Sequence, residues 1–218
     1  MSLQALIRRR QRALFDAWVR DPLVQVQVEH PEALGRLVFL DDFDEDVQTG
    51  KAGRSSLKNV AIVQKPGNAD ENASVWVRAW YSSYQKAWLR FVEQVYGIKA
   101  APSDLAGYNI DHLLNKARSP NKAGFIRIEA INDAVNQAWG GLFERAASNP
   151  EFSANQNRLR RTMSWIIAAK LMDQPPPRGP NDQQGIARLV QFFNQNGLAA
   201  DNPQRGLTDM LQFAYKFQ

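Results

Sequence analysis

The stretch Phe125-Ile126-Arg127-Ile128-Glu129-Ala130-Ile131 sets Phe125, Arg127 and Glu129 on one face of an extended chain. Ile126, Ile128 and Ala130 fall on the other face. A period of two in a β-branched run spells a strand. Upstream, residues 104–114 run into a turn at Arg118-Ser-Pro-Asn-Lys-Ala-Gly124, so an antiparallel hairpin is expected near 107–131. Downstream, Asp133 to Ala147 reads as a helix with Val135, Trp139, Leu142 and Phe143 on its apolar side. The centre of the chain therefore reads strand, loop, strand, helix.

The flanks read mainly as helix. Leu3, Leu6, Ile7, Leu14, Ala17 and Trp18 recur at three- and four-residue steps over 3–20, and Asp21-Pro22 ends that helix. Arg8, Arg9, Arg12 and Arg20 fall largely off its apolar stripe. Residues 23–28 alternate like a short strand, and 31–74 read as long loops around short elements such as 57–63. Within those loops Asp41-Asp42-Phe43-Asp44-Glu45-Asp46 places five acids in six positions. The spacing of Trp76, Trp80, Tyr84, Trp88, Phe91 and Val95 predicts a helix over 75–96, closed by Gly97. Further helices are expected at 156–172, 183–196 and 206–216, with Pro175-Pro-Pro-Arg-Gly-Pro180 as a semi-rigid spacer. The expected fold is α+β and mostly helical: a small antiparallel hairpin followed by a helix (ββα), embedded among long helices. Residues 1–100 form a helical N-terminal region with the acidic loop. Residues 101–218 carry the ββα-like unit and the C-terminal helices, the two together making one compact domain.

Composition removes whole classes of chemistry. The 218 residues contain no Cys and only two His, His30 and His112, so thiol nucleophiles, Cys-ligated zinc and three-His sites are excluded. Phosphate-loop, dinucleotide, nucleophile-elbow and zinc-protease motifs are absent. His30 sits beside Pro31 in a loop with no acidic pattern that would make it a site. Net charge is +5, a modest attraction for polyanions. No apolar run reaches the roughly 18–20 residues of a membrane span, and Arg8-Arg9-Arg10 is not followed by a signal-peptide apolar segment. The expectation is a protein with no membrane partner, cytoplasmic or exported without a cleavable signal peptide.

One constellation carries chemistry. Asp111-His112 closes the first expected strand, Arg127 lies 15 residues after His112, and Asn136 lies 24 after it, early in the helix. This order resembles the ββα-metal finger of the HNH (His-Me finger) nucleases. The run Phe125-Ile-Arg-Ile…Val135-Asn136…Gly140-Gly141…Phe143-Glu144 is similar to metal-finger toxin domains of bacterial secreted effectors, over about residues 107–147. The resemblance implies a metal-dependent phosphodiesterase, with His112 as general base and Arg127 on phosphate. Asp111 and Asn136 would hold a divalent cation, Mg²⁺ or Mn²⁺, and Lys116, Arg118 and Lys122 would guide a nucleic acid. The chemistry asks for such groups: a neutral imidazole takes a proton from water near pH 7, and hard oxygens suit those cations. Where the family usually has Asn in the middle position, this chain has Arg127. A ligand four residues after Asn136 would fall on Gly140, so the site would have two protein ligands or would draw on Glu144 or Asn132 instead.

Two other readings stand beside it. Asp111-His112 is also a hydrogen-bonded pair at a strand edge, or the start of a helix over 111–118. The chain is then a non-enzymatic helical binding protein for nucleic acid or a protein partner, using its basic N-terminal helix and C-terminal half. A structural or immunity-type interaction protein, with the acidic loop 41–46 as contact surface for a protein partner, for example an inhibitor, is the third.

Overall fold

A computed structural model describes residues 1–38, 59–116, 124–147, 161–179, 181–198 and 203–215. The acidic run 41–46, Arg118 and Lys122 lie outside the described residues. Among the described residues, the strand read from the central stretch, β6 (Phe125–Asn132), is the one on which the sheet is assembled. Its first half pairs with β4 (Ala73–Arg78) on one side, Trp76 opposite Arg127, and with β1 (Gln25–Val28) on the other, Gln27 opposite Ile126. Its second half pairs with β5 (Tyr108–His112), Tyr108 opposite Asn132 and His112 opposite Ile128. The sheet continues outward through β3 (Val60–Gln64) to β2 (Arg36–Val38), and past β1 to β7 (Arg161–Thr162). All pairings are antiparallel.

This architecture corrects the mostly helical expectation. A seven-stranded antiparallel sheet organises the chain, and the β5–β6 hairpin is a piece of it rather than an isolated finger among helices. The largest single error lies at 75–96. Residues 73–78 are strand β4, and the helix α3 (Tyr84–Tyr96) begins only after a turn. Ser74-Val75-Trp76-Val77 is β-branched and aromatic, which favours extended backbone. Val75 and Val77 point into the core under α3, while Trp76 packs on the opposite side with Val28, Val63 and Phe125. Trp80, which the helical stripe would bury, sits in the turn with 53% of its surface in water. Gly97 does close α3, at φ 67° in the left-handed region.

Helices cover the sheet. α1 (Leu3–Arg20) starts on a Ser2 hydroxyl that accepts from the Ala5 amide. Its first half, through Leu3, Leu6 and Ile7, joins a core with β3, β4, α3 and β5. Its second half, through Leu14, Phe15 and Trp18, joins a second core with the C-terminal helices. Those are α4 (Asp133–Ala147), α5 (Trp165–Leu171), α6 (Gln183–Gln195) and α7 (Pro203–Tyr215). The segment expected as one helix over 156–172 is β7 followed by α5 within the described residues. A one-turn helix, α2 (Ala69–Asn72), links β3 to β4.

Candidate functional site

Residues that follow one another along a strand point to opposite sides of it. β5 is strand as far as His112, so Asp111 and His112 cannot face one site. The register sets Asp111 beside Glu129 and His112 beside Ile128. The Asp-His adjacency that suggests a catalytic pair in the sequence is separated by the pleat in the fold.

His112 turns inward. It is 8% exposed and packs edge-on against the Tyr84 ring at 4.7 Å between centroids. Its Nε2 is buried without a hydrogen-bond partner. Burial pushes its pKa down from 6.5 to about 4, against the pull of Asp111 and helped by Lys116. The imidazole is therefore neutral at pH 7, and its buried Nε2 faces protein rather than a water-filled approach.

Asp111 turns to the other side, where its Oδ2 accepts from the Lys170 ammonium of α5 at 2.7 Å. Positive charge is thus already supplied at the carboxylate that was expected to hold a metal. Asn136 lies half-buried in the first turn of α4. Asn132, the substitute ligand, spends its Oδ1 on the Val135 amide at the start of that helix. Among the described residues no three His, Asp or Glu side chains converge as a metal site would need. Glu144 has no described side chain, Lys116 is exposed just after β5, and His30 is an exposed loop residue 3.2 Å from Glu32.

Arg127 is buried beneath the sheet's surface, not displayed beside the hairpin. Its Nε and Nη2 donate to Glu129 Oε1 at 3.2 and 2.9 Å. The same carboxylate receives Arg10 of α1, with Nη2 at 2.5 Å from Oε1 and Nε at 3.3 Å from Oε2. Arg10 also donates to the Ala73 carbonyl and the Tyr96 hydroxyl, and lies over the Phe91 ring at 4.6 Å. Burial alone would raise the Glu129 pKa; the two guanidiniums override it and hold the carboxyl below its usual range. Arg10 and Glu129 were not singled out from the sequence. The available signal was Glu129 itself, a carboxylate set between Ile128 and Ala130 in a strand that is mainly apolar, which demands a buried cation.

The arginine cluster of α1 is likewise committed internally. Arg8 is hydrogen-bonded to Tyr108, Arg9 pairs with the buried Asp70, Arg12 with Asp16 and Asn196, and Arg20 with Glu71 at 2.5 Å. These side chains fasten α1 to β5, α2 and the end of α6. No helix among the described residues is long and apolar enough to cross a membrane. No protein-family model, no curated protein and no solved structure matches this chain.

Proposed function

We propose that this chain acts by binding a protein partner, and not by metal-dependent phosphodiester cleavage. The observation that carries the reading is the opposite orientation of Asp111 and His112. One carboxylate is held by Lys170, and one imidazole is sealed against Tyr84, so base and metal ligand do not share a site. Nucleic acid is disfavoured as the partner because the α1 arginines, the strongest basic run in the sequence, are already paired within the molecule. The half-exposed Trp80 in the β4–α3 turn is the kind of rigid, amphipathic side chain that anchors protein interfaces.

A metal-dependent phosphodiesterase of HNH-like type, with Mg²⁺ or Mn²⁺ and a toxin-like role, is the second reading. It is favoured by the β5–loop–β6–α4 order and by the neutral, unpartnered Nε2 of His112. One experiment separates the two. Plasmid DNA and total RNA are incubated with the protein and Mg²⁺ or Mn²⁺, wild type against His112→Ala. The binding reading expects no cleavage by either protein, and nucleic-acid affinity indifferent to neutralising Arg8 and Arg12. Metal-dependent cleavage lost in the variant overturns it and establishes the second reading.

A further inference from the structure

Arg10, Glu129 and Arg127 form a buried cluster in which two guanidiniums share one carboxylate, leaving one positive charge uncompensated. The two arginines are not equally served. Arg10 has a carbonyl, a hydroxyl and an aromatic face besides the carboxylate. Among the described residues Arg127 hydrogen-bonds Glu129 alone, through Nε and Nη2. Burying a cation without full compensation is costly, so the surplus charge at Arg127 requires an account.

Arg127 lines a cavity of about 290 Å³ between the last turn of α1, the start of β1 and the β3–α2–β4 corner. Leu14, Val24, Leu34 and Trp76 give this cavity an apolar wall, and Lys65 stands at its edge. Gln25 lines it too, its Nε2 donating to the Leu23 carbonyl at 3.0 Å. A buried cation and an apolar wall meet in one space, whose rim carries Arg20 and Glu71, paired with each other at 2.5 Å, and Asp21.

We propose that this cavity binds a small organic monocarboxylate. The ligand's carboxylate lies against the Arg127 fork and neutralises the surplus charge, as planar guanidinium–carboxylate pairs do. A single negative charge balances the Arg10–Glu129–Arg127 cluster, and the Glu71 and Asp21 carboxylates at the rim disfavour the higher charge of inorganic phosphate. The apolar wall takes a hydrocarbon or aromatic body. At roughly 30 Å³ per water-sized unit, the volume holds about ten non-hydrogen atoms. The site lies on the face of the sheet away from His112, and its preference for carboxylate over phosphate sets it apart from the nuclease reading, which puts phosphate on Arg127.

The test is calorimetric titration of the full chain with acetate, benzoate and 4-hydroxyphenylacetate, alongside 4-hydroxyphenylacetamide and inorganic phosphate. Saturable binding of a carboxylate is expected, at least about tenfold tighter than the amide and phosphate. Ala17→Phe, which fills the cavity rim while leaving the Arg127–Glu129 pair in place, should abolish it, as should Arg127→Gln. If Arg127→Gln does not fold, Ala17→Phe decides alone. Failure of all three carboxylates to saturate below about 10 mM overturns the proposal. So does an amide or phosphate that binds equally well, or a carboxylate whose binding survives Ala17→Phe.

Discussion

Arg10 of α1 and Glu129 of β6, 119 positions apart in the sequence, are joined by two hydrogen bonds inside the protein, the shorter at 2.5 Å. The pair bolts the first helix to the central strand at the junction of the two cores that α1 spans. Removing the carboxylate leaves two buried guanidiniums facing each other. Glu129→Gln should therefore cost about 3–5 kcal/mol in urea unfolding. Arg127→Met leaves Arg10 and Glu129 as a neutral pair and should cost less than half as much. Equal costs would mean that the shared carboxylate is not the organising charge.

His112 supplies a pH-dependent term of known sign. Its pKa is about 4 when folded and near 6.5 when unfolded, so between these values the unfolded chain binds a proton that the folded chain does not. The contribution is complete above pH 6.5 and is lost as pH falls through 4, about 3 kcal/mol in all. Unfolding free energies at pH 7 and pH 4.5 should differ in the wild type. In His112→Phe, which keeps a ring against Tyr84, the difference should shrink by that contribution. An unchanged difference would locate the acid sensitivity in other groups, Glu129 first among them.

The Asp111–Lys170 pair is only partly buried, and its worth is accordingly small. A double-mutant cycle with Asp111→Asn and Lys170→Met should return a coupling of about 1 kcal/mol. A coupling near zero would detach α5 from the hairpin energetically.

Trp76 and Trp80 give the sharpest contrast between a strand and a helix at 73–80. A helix would bury both on one stripe. In the observed fold Trp76→Ala should cost about 3–5 kcal/mol, because it empties the core on its side of the sheet. Trp80→Ser should change stability by less than about 0.5 kcal/mol. Comparable losses at the two positions would contradict the strand β4.

How much of this was legible depends on the range over which each signal acts. β6, α1 and α4 carry periodicities that belong to the element itself, and the hairpin follows from two such strands and a turn. The ends of α1 and α4 agree with the residues that the pattern marked. The sheet is different, because Val60–Gln64, Ala73–Arg78 and Gln25–Val28 become neighbours only through β6, and nothing local in them names that partner. At 75–96 the aromatic spacing merged a strand, a turn and a helix into one false stripe. The candidate site failed for a related reason. Asp111 and His112 are adjacent in sequence, but the pleat sends them apart, and only the ladder register reveals which neighbours each one meets. The Arg127–Glu129 alternation was visible from the start; its third member, Arg10, was hidden by distance along the chain.

The bolt between α1 and β6 also has a temporal side. On the ribosome Arg10 emerges long before Glu129, and at about 5–20 residues per second the wait is on the order of ten seconds. Throughout that interval α1 carries a guanidinium with no carboxylate to receive it, and β4 and β1 lack the strand that will lie between them. The apolar stripe of α1 and the edges of the early strands must be kept from other chains until residue 129 arrives. The central strand that completes both cores is thus among the later parts of the sheet to be made.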